Sequence, residues 1–122
     1  MGALAIGFVA GVVCFYAATS MKRALGYDDS LDAFGVHGVG GTIGALLTGV
    51  FAAKSMGGHE DVSIAGQFMA QCIGVGVTLV WSGVVSYLIL KAIDLTIGLR
   101  VSAQEEVEGL DLTQHNEAGY NL

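Results

Sequence analysis

The charged residues of this 122-residue chain are confined to three blocks. Its five Lys and Arg and eleven Asp and Glu residues fall within 22–32, 54–61 and 91–122, leaving 1–21, 33–53 and 62–90 without one. Those gaps are 21, 21 and 29 residues long. At about 1.5 Å per helical residue, each can cross a hydrocarbon core of roughly 30 Å, and the third has length left to tilt or project beyond it. Only 13% of the chain is charged, against roughly 25% in a soluble domain. A soluble enzyme, a nucleic-acid binder and a disordered acidic protein are therefore excluded as descriptions of the whole chain. The gaps predict an all-α membrane protein with three transmembrane helices at about 3–20, 31–53 and 64–96, giving a membrane region 1–97 and a tail 98–122.

The charges that remain predict an orientation. Lys22 and Arg23 follow the first helix, only Lys54 follows the second, and Lys91 and Arg100 follow the third. Excess Lys and Arg mark cytoplasmic loops, so the first loop and the C-terminal tail are expected inside and loop 54–63 outside. The formal charge of −6 belongs largely to that tail, which carries Glu105, Glu106, Glu108, Asp111 and Glu117. Asp28, Asp29 and Asp32 stand where the second helix begins and can cap its free N–H groups and meet the positive end of its dipole. In the outer loop, Gly57 and Gly58 predict a turn, and Ser63 precedes the third helix. The first helix has no Lys or Arg before it and no clean cleavage pattern after it, which favours a retained span over a leader.

Cys14 and Cys72 lie deep in apolar stretches and read as small hydrophobes. His37, His59 and His115 occupy three separate segments with no neighbouring ligand at metal spacing, so no metal or other cofactor is expected. Glycine is concentrated in the helices. Gly35, Gly38, Gly40, Gly41 and Gly44 crowd the second, Gly7 and Gly11 form a G-x-x-x-G pair in the first, and Gly74, Gly76 and Gly83 mark the third. In water each would cost about 1 kcal/mol relative to Ala. In lipid, small residues let helix backbones approach closely, which predicts burial among more helices than these three.

His37 is the one group with an ordinary pKa near neutrality inside a predicted span. An ionisable residue at that depth is costly and faces a bundle interior or a cavity. Two readings stand side by side: a solute-contacting imidazole, or a neutral ring that ties two helices together by a hydrogen bond. A neutral imidazole accepts through one nitrogen and donates through the other, and the flanking Gly35 and Gly38, with Gly41 and Gly44 recurring at helical spacing, are expected to leave room beside it for a solute that can do the same.

The run from Asp28 to Gly44, which contains Asp32-Ala33-Phe34-Gly35-Val36-His37-Gly38-Val39-Gly40-Gly41, resembles the ammonium transporter family (Amt/Mep/Rh). So do Val80-Trp81-Ser82-Gly83, the stretch from Asp94 to Val101, and Glu108-Gly109-Leu110-Asp111 with His115, Glu117 and Tyr120. The resemblance covers essentially the whole chain in the family's order. It implies eleven membrane helices in two inverted repeats plus a final helix, assembled as a homotrimer with a pore through each subunit. On this resemblance the chain would supply the last three helices and the tail. His37 would be the second of two pore histidines lining a conduit for ammonium or ammonia, with Phe34, Gly38 and Gly41 beside it.

The resemblance also implies a regulatory tail that includes Asp94, Arg100, Gly109, Asp111, His115 and Tyr120, and a cytosolic face that can receive a PII-type signalling protein. It further implies residence in the cell membrane and transport without covalent catalysis. Because one repeat is missing, the chain reads as a partial subunit, whether an excerpt or a product that works only when complemented. Three further readings come from the residues alone. Lys91 and Asp94 are spaced for an i, i+3 ion pair. Trp81 lies away from either interface belt and is expected to pack between helices, with Asp29 and Asp32 as capping residues. The alternative to transport is a membrane adaptor or regulatory fragment in which His37 is only a hydrogen-bonder.

Overall fold

Backbone N–H and C=O groups in a hydrocarbon core must find their partners within the segment, which makes apolar runs without proline fold as helices. The computed structural model describes residues 1–119 and has this character, with no strand among the described residues. Three helices are long and apolar enough to cross a membrane: α1 (Gly2–Leu25), α2 (Phe34–Phe51) and α3 (Ile64–Thr96). Two short ones follow, α4 (Ala103–Glu108) and α5 (Leu110–His115). The chain divides into two compact units, Met1–Val80 and Trp81–Leu122, and α3 contributes to both.

In the first unit, α1 and α2 pack through their smallest residues. α1 contains a π-helical turn at Ala17–Met21, and α2 opens with another at Phe34–Gly38. The two turns touch. A methyl group added at Gly35 would lie 3.0 Å from both the Cα and the backbone nitrogen of Ala18, and the adjacent Ala17 is 2% exposed. One turn away, Cys14 occupies the space over Gly40, where an added Cβ would come within 2.8 Å of its sulfur. The Cys14 thiol lies 3.5 Å from the Val36 carbonyl oxygen, to which it donates.

The helix ends differ from expectation for local reasons. α1 runs past residue 20 to Leu25, because Lys22 and Arg23 suit the negative end of a helix dipole and Arg23 Nε donates to the Thr19 carbonyl at 3.1 Å. Gly26, at φ 64°, then closes it in the left-handed region that glycine enters without strain. α2 begins at Phe34 and not at 31, because Asp32 stands at φ 55° and a left-handed residue cannot belong to a right-handed helix. α3 has the expected limits, 64–96.

Between α2 and α3 the backbone folds on itself. Lys54 N–H donates to the Glu60 carbonyl at 3.0 Å and Glu60 N–H to the Ala52 carbonyl at 3.1 Å, around a short 3-10 turn at Lys54–Met56. Ser63 Oγ then accepts from Gly66 N–H at 3.1 Å and starts α3. That helix meets α2 at Gly49, where an added Cβ would lie 2.8 Å from the Phe68 Cα. None of the most apolar stretch of α3 is buried within the chain.

In the second unit, Ser102 and Glu105 form a reciprocal capping box at the start of α4. The Arg100 guanidinium reaches Glu106 at 2.7 Å, and Gln114 on α5 donates to Glu105 at 3.0 Å, joining the two short helices.

Candidate pore-lining site

The site is built from the turn that precedes α2. Asp29 presents both carboxylate oxygens to the first free N–H groups of that helix, accepting from Ala33 at 2.8 Å and Phe34 at 3.0 Å. Its own carbonyl oxygen accepts from Lys22 Nζ at 2.9 Å and from Asp32 N–H at 3.2 Å. The Asp32 carboxylate does not reach a helix N–H. It pairs with the Lys22 ammonium, while its carbonyl accepts from Val36 N–H at 2.8 Å. Tyr27 closes this corner with its ring edge-on to Phe34, centroids 5.7 Å apart and planes at 88°. Its hydroxyl is buried and has no partner among the described residues.

One turn further on stands His37, within the π turn Phe34–Gly38 and exposed. Its imidazole makes no hydrogen bond to another described residue. Around it the surface is apolar and low. The Phe34 ring, 52% exposed, leans over Gly38, where an added Cβ would be 3.0 Å from Phe34 Cδ2. Beside it, an added Cβ at Gly41 would meet nothing within 4 Å. The four residues thus form one open strip: an aromatic ring, an imidazole with both nitrogens unengaged, and two glycines that keep the backbone accessible. A neutral imidazole in such a strip can donate to and accept from a small solute.

Phe34, His37, Gly38 and Gly41 follow one another at helical spacing in the first turns of α2, and the Phe34 ring meets Gly38; Asp29 and Asp32 lie in the preceding turn. Elsewhere, Trp81 is 70% exposed and has no helix over it, and Lys91 Nζ lies 4.0 Å from Asp94 Oδ2. In the tail, Arg100 holds Glu106, Gly109 stands at φ 101° between the short helices, and the Asp111 carbonyl accepts from Glu117 N–H at 2.9 Å. His115 closes α5. Tyr120 lies outside the described residues. Glu105 accepts from the Ser102 hydroxyl and backbone N–H, both at 2.8 Å. Those bonds, with a further one from Gln114, hold its carboxyl below the ordinary value of 4.5.

A family model described as Ammonium Transporter Family matches residues 1–120, the strip and the tail together. The chain belongs to the ammonium transporter family. It is 40% identical over 94% of its length to an ammonium transporter of Bacillus subtilis, and 41% identical over its whole length to one of Aquifex aeolicus. It is 34% identical over 97% of its length to ammonium transporter 1 of Dictyostelium discoideum. These matches cover 30%, 29% and 26% of the respective relatives, so the chain spans less than a third of the curated ammonium transporters it resembles. Family membership and three membrane-length apolar helices make it a multi-pass membrane protein.

Three residues have roles that the sequence does not make plain. Lys22 reads only as a topology charge, although its spacing from Asp32 across a short loop is a usable signal. Ser102, followed three residues later by Glu105, carries the capping-box pattern. Cys14 gives no signal, because its proximity to Val36 and Gly40 arises only when the helices cross.

Proposed function

We propose that the chain forms part of a conduit for ammonium or ammonia across a membrane, with His37 lining the path beside Phe34, Gly38 and Gly41. The observation that carries this reading is the exposed imidazole itself. An ionisable ring within a membrane-length helix, with both nitrogens unengaged within this chain and glycines beside it, is free to serve as a solute contact. The relatives' names supply the solute. A small molecule that both donates and accepts hydrogen bonds is what a neutral imidazole can pass along. The chemistry is transport and not catalysis of a covalent change.

The three helices would enclose the conduit jointly with others, since the open face at Gly41 and the uncovered length of α3 need neighbours in lipid. The chain is thus part of a subunit of a homotrimer in the cell membrane. Its C-terminus is cytoplasmic, and its tail regulates transport, with Asp94, Arg100, Gly109, Asp111, His115 and Tyr120 belonging to the surface that a PII-type protein would read.

The test is methylammonium uptake by cells that express the whole protein and have no other ammonium transport. His37→Ala is expected to change the rate, the selectivity or the proton coupling while membrane levels hold. Wild-type behaviour in all three would remove His37 from the path.

A further inference from the structure

Asp32 is one of two non-glycine residues with positive φ among the described residues, and it is the one that lies just before the His37 turn. A left-handed aspartate is tolerated only where its surroundings hold it. What holds it is visible. The Lys22 ammonium, at the end of α1, is shared between the Asp32 carboxylate and the Asp29 carbonyl. It therefore grips the turn at two points three residues apart. Lys22 and Asp32 are both partly enclosed, their side chains 27% and 39% exposed, and no other ion pair involves either of them among the described residues.

The consequence reaches His37 through the backbone. Asp32 carbonyl accepts from Val36 N–H, within the π turn, and Asp29 accepts from the N–H groups of Ala33 and Phe34 at its start. A π turn accommodates one residue more than an α turn, so a helix that loses it rotates everything beyond by about 100° relative to what came before. The turn at Phe34–Gly38 is thus bounded by the Asp29–Asp32 anchor on one side and by the Gly35 contact with Ala18 within it. If the anchor slackens, Asp32 can return to an ordinary conformation and α2 can start a residue or more earlier. His37 then points elsewhere on its helix.

We infer that Lys22 is a positioning residue for His37: its ammonium, bridging Asp32 and the Asp29 carbonyl, holds Asp32 left-handed and so sets the direction of the imidazole in the conduit. The inference rests on the transport reading above, and its test separates the two.

Methylammonium uptake and membrane level are measured for the whole protein in five variant forms, and the 15N imidazole resonance of His37 in the four that keep it. Lys22→Met is expected to lower uptake at least tenfold at unchanged membrane level and to shift the His37 resonance, and Lys22→Arg to stay within about twofold of wild type. Glycine enters the left-handed region without strain, so Asp32→Gly supplies the conformation without the clamp. Asp32→Gly and the double variant Lys22→Met/Asp32→Gly are both expected to keep uptake within about threefold of wild type and a near-native resonance.

The inference is overturned if Lys22→Met transports normally, or if Asp32→Gly is as poor as Lys22→Met, in level or in uptake. If Lys22→Met fails to accumulate, the double variant decides: transport supports the inference, and failure to accumulate or to transport overturns it. His37→Ala, the fifth form, guards the premise. Normal transport there defeats the conduit reading, whereas a loss there beside a normal Lys22→Met defeats only the role of Lys22.

Discussion

Three glycines of α2 and three of α3 are the same residue in opposite surroundings. On α2, a Cβ at Gly35 would press on the Ala18 backbone, one at Gly40 on the Cys14 sulfur, and one at Gly49 on the Phe68 Cα. On α3, a Cβ at Gly74, Gly76 or Gly83 would meet nothing within 4 Å. Glycine in a membrane helix permits close approach, so the first group marks contacts made within this chain and the second leaves a face where another helix could approach. The contacts at Gly35 and Gly40 lie on either side of His37 and hold its turn against α1, and that at Gly49 joins α2 to α3, while the open ones lie on a helix that has no buried residue of its own.

Gly35→Val offers the hardest blow to this contrast. Its side chain would be forced against the Ala18 backbone, which cannot move aside as a flexible side-chain end can. Overpacking of this kind costs about 1–3 kcal/mol. The expected outcome is a protein that reaches the membrane poorly and loses uptake, checked by membrane level and methylammonium flux; a normal protein would mean that the two π turns do not touch in the membrane. Gly83→Leu sharpens the other side. Within this chain there is room for it, so the three helices should form with unchanged helical circular dichroism, but assembly with neighbouring helices should weaken, as read by the size of the detergent-solubilised complex. An intact complex would show that this face meets lipid.

The smallest effect is expected in the tail, where hydrogen bonds and not close packing shape the chain. The Glu105 carboxyl is held below its ordinary value, so its capping contribution is present above that value and is lost as pH falls through the depressed one. The Ser102 amide resonance should titrate below pH 4.5, and removing the hydroxyl with Ser102→Ala should move the midpoint up towards it. A midpoint unmoved by that change would dissolve the capping box as a factor.

How far the sequence reveals this arrangement differs by element. The gaps between charges locate three spans because lipid excludes charge, and for α3 the limits agree with the structure to the residue. They misplace the end of α1, which runs on to the left-handed Gly26, and the start of α2, which waits for the left-handed Asp32 that Lys22 grips, an interaction between residues that a linear reading assigns to different tasks. His37 is legible as the sole imidazole in a span, and Asp29 as a capping acid. The π turns are not legible. Nothing in Ala17–Met21 or Phe34–Gly38 departs from ordinary helical composition, and the extra residue in each turn becomes evident only where the Gly35 and Ala18 backbones meet. The open faces were foreseen in kind from the glycine count, but which glycines are covered required the packing.

The central claim is that the His37 ring touches the transported species. The most direct measurement is the 15N imidazole spectrum of the whole protein in bilayers during titration with ammonium, with sodium as control and His59 in the turn between α2 and α3 as internal reference. A saturable change at His37 that sodium does not reproduce, with His59 unmoved, is the predicted result. A protein that transports ammonium while the His37 resonances stay fixed throughout the titration would contradict it.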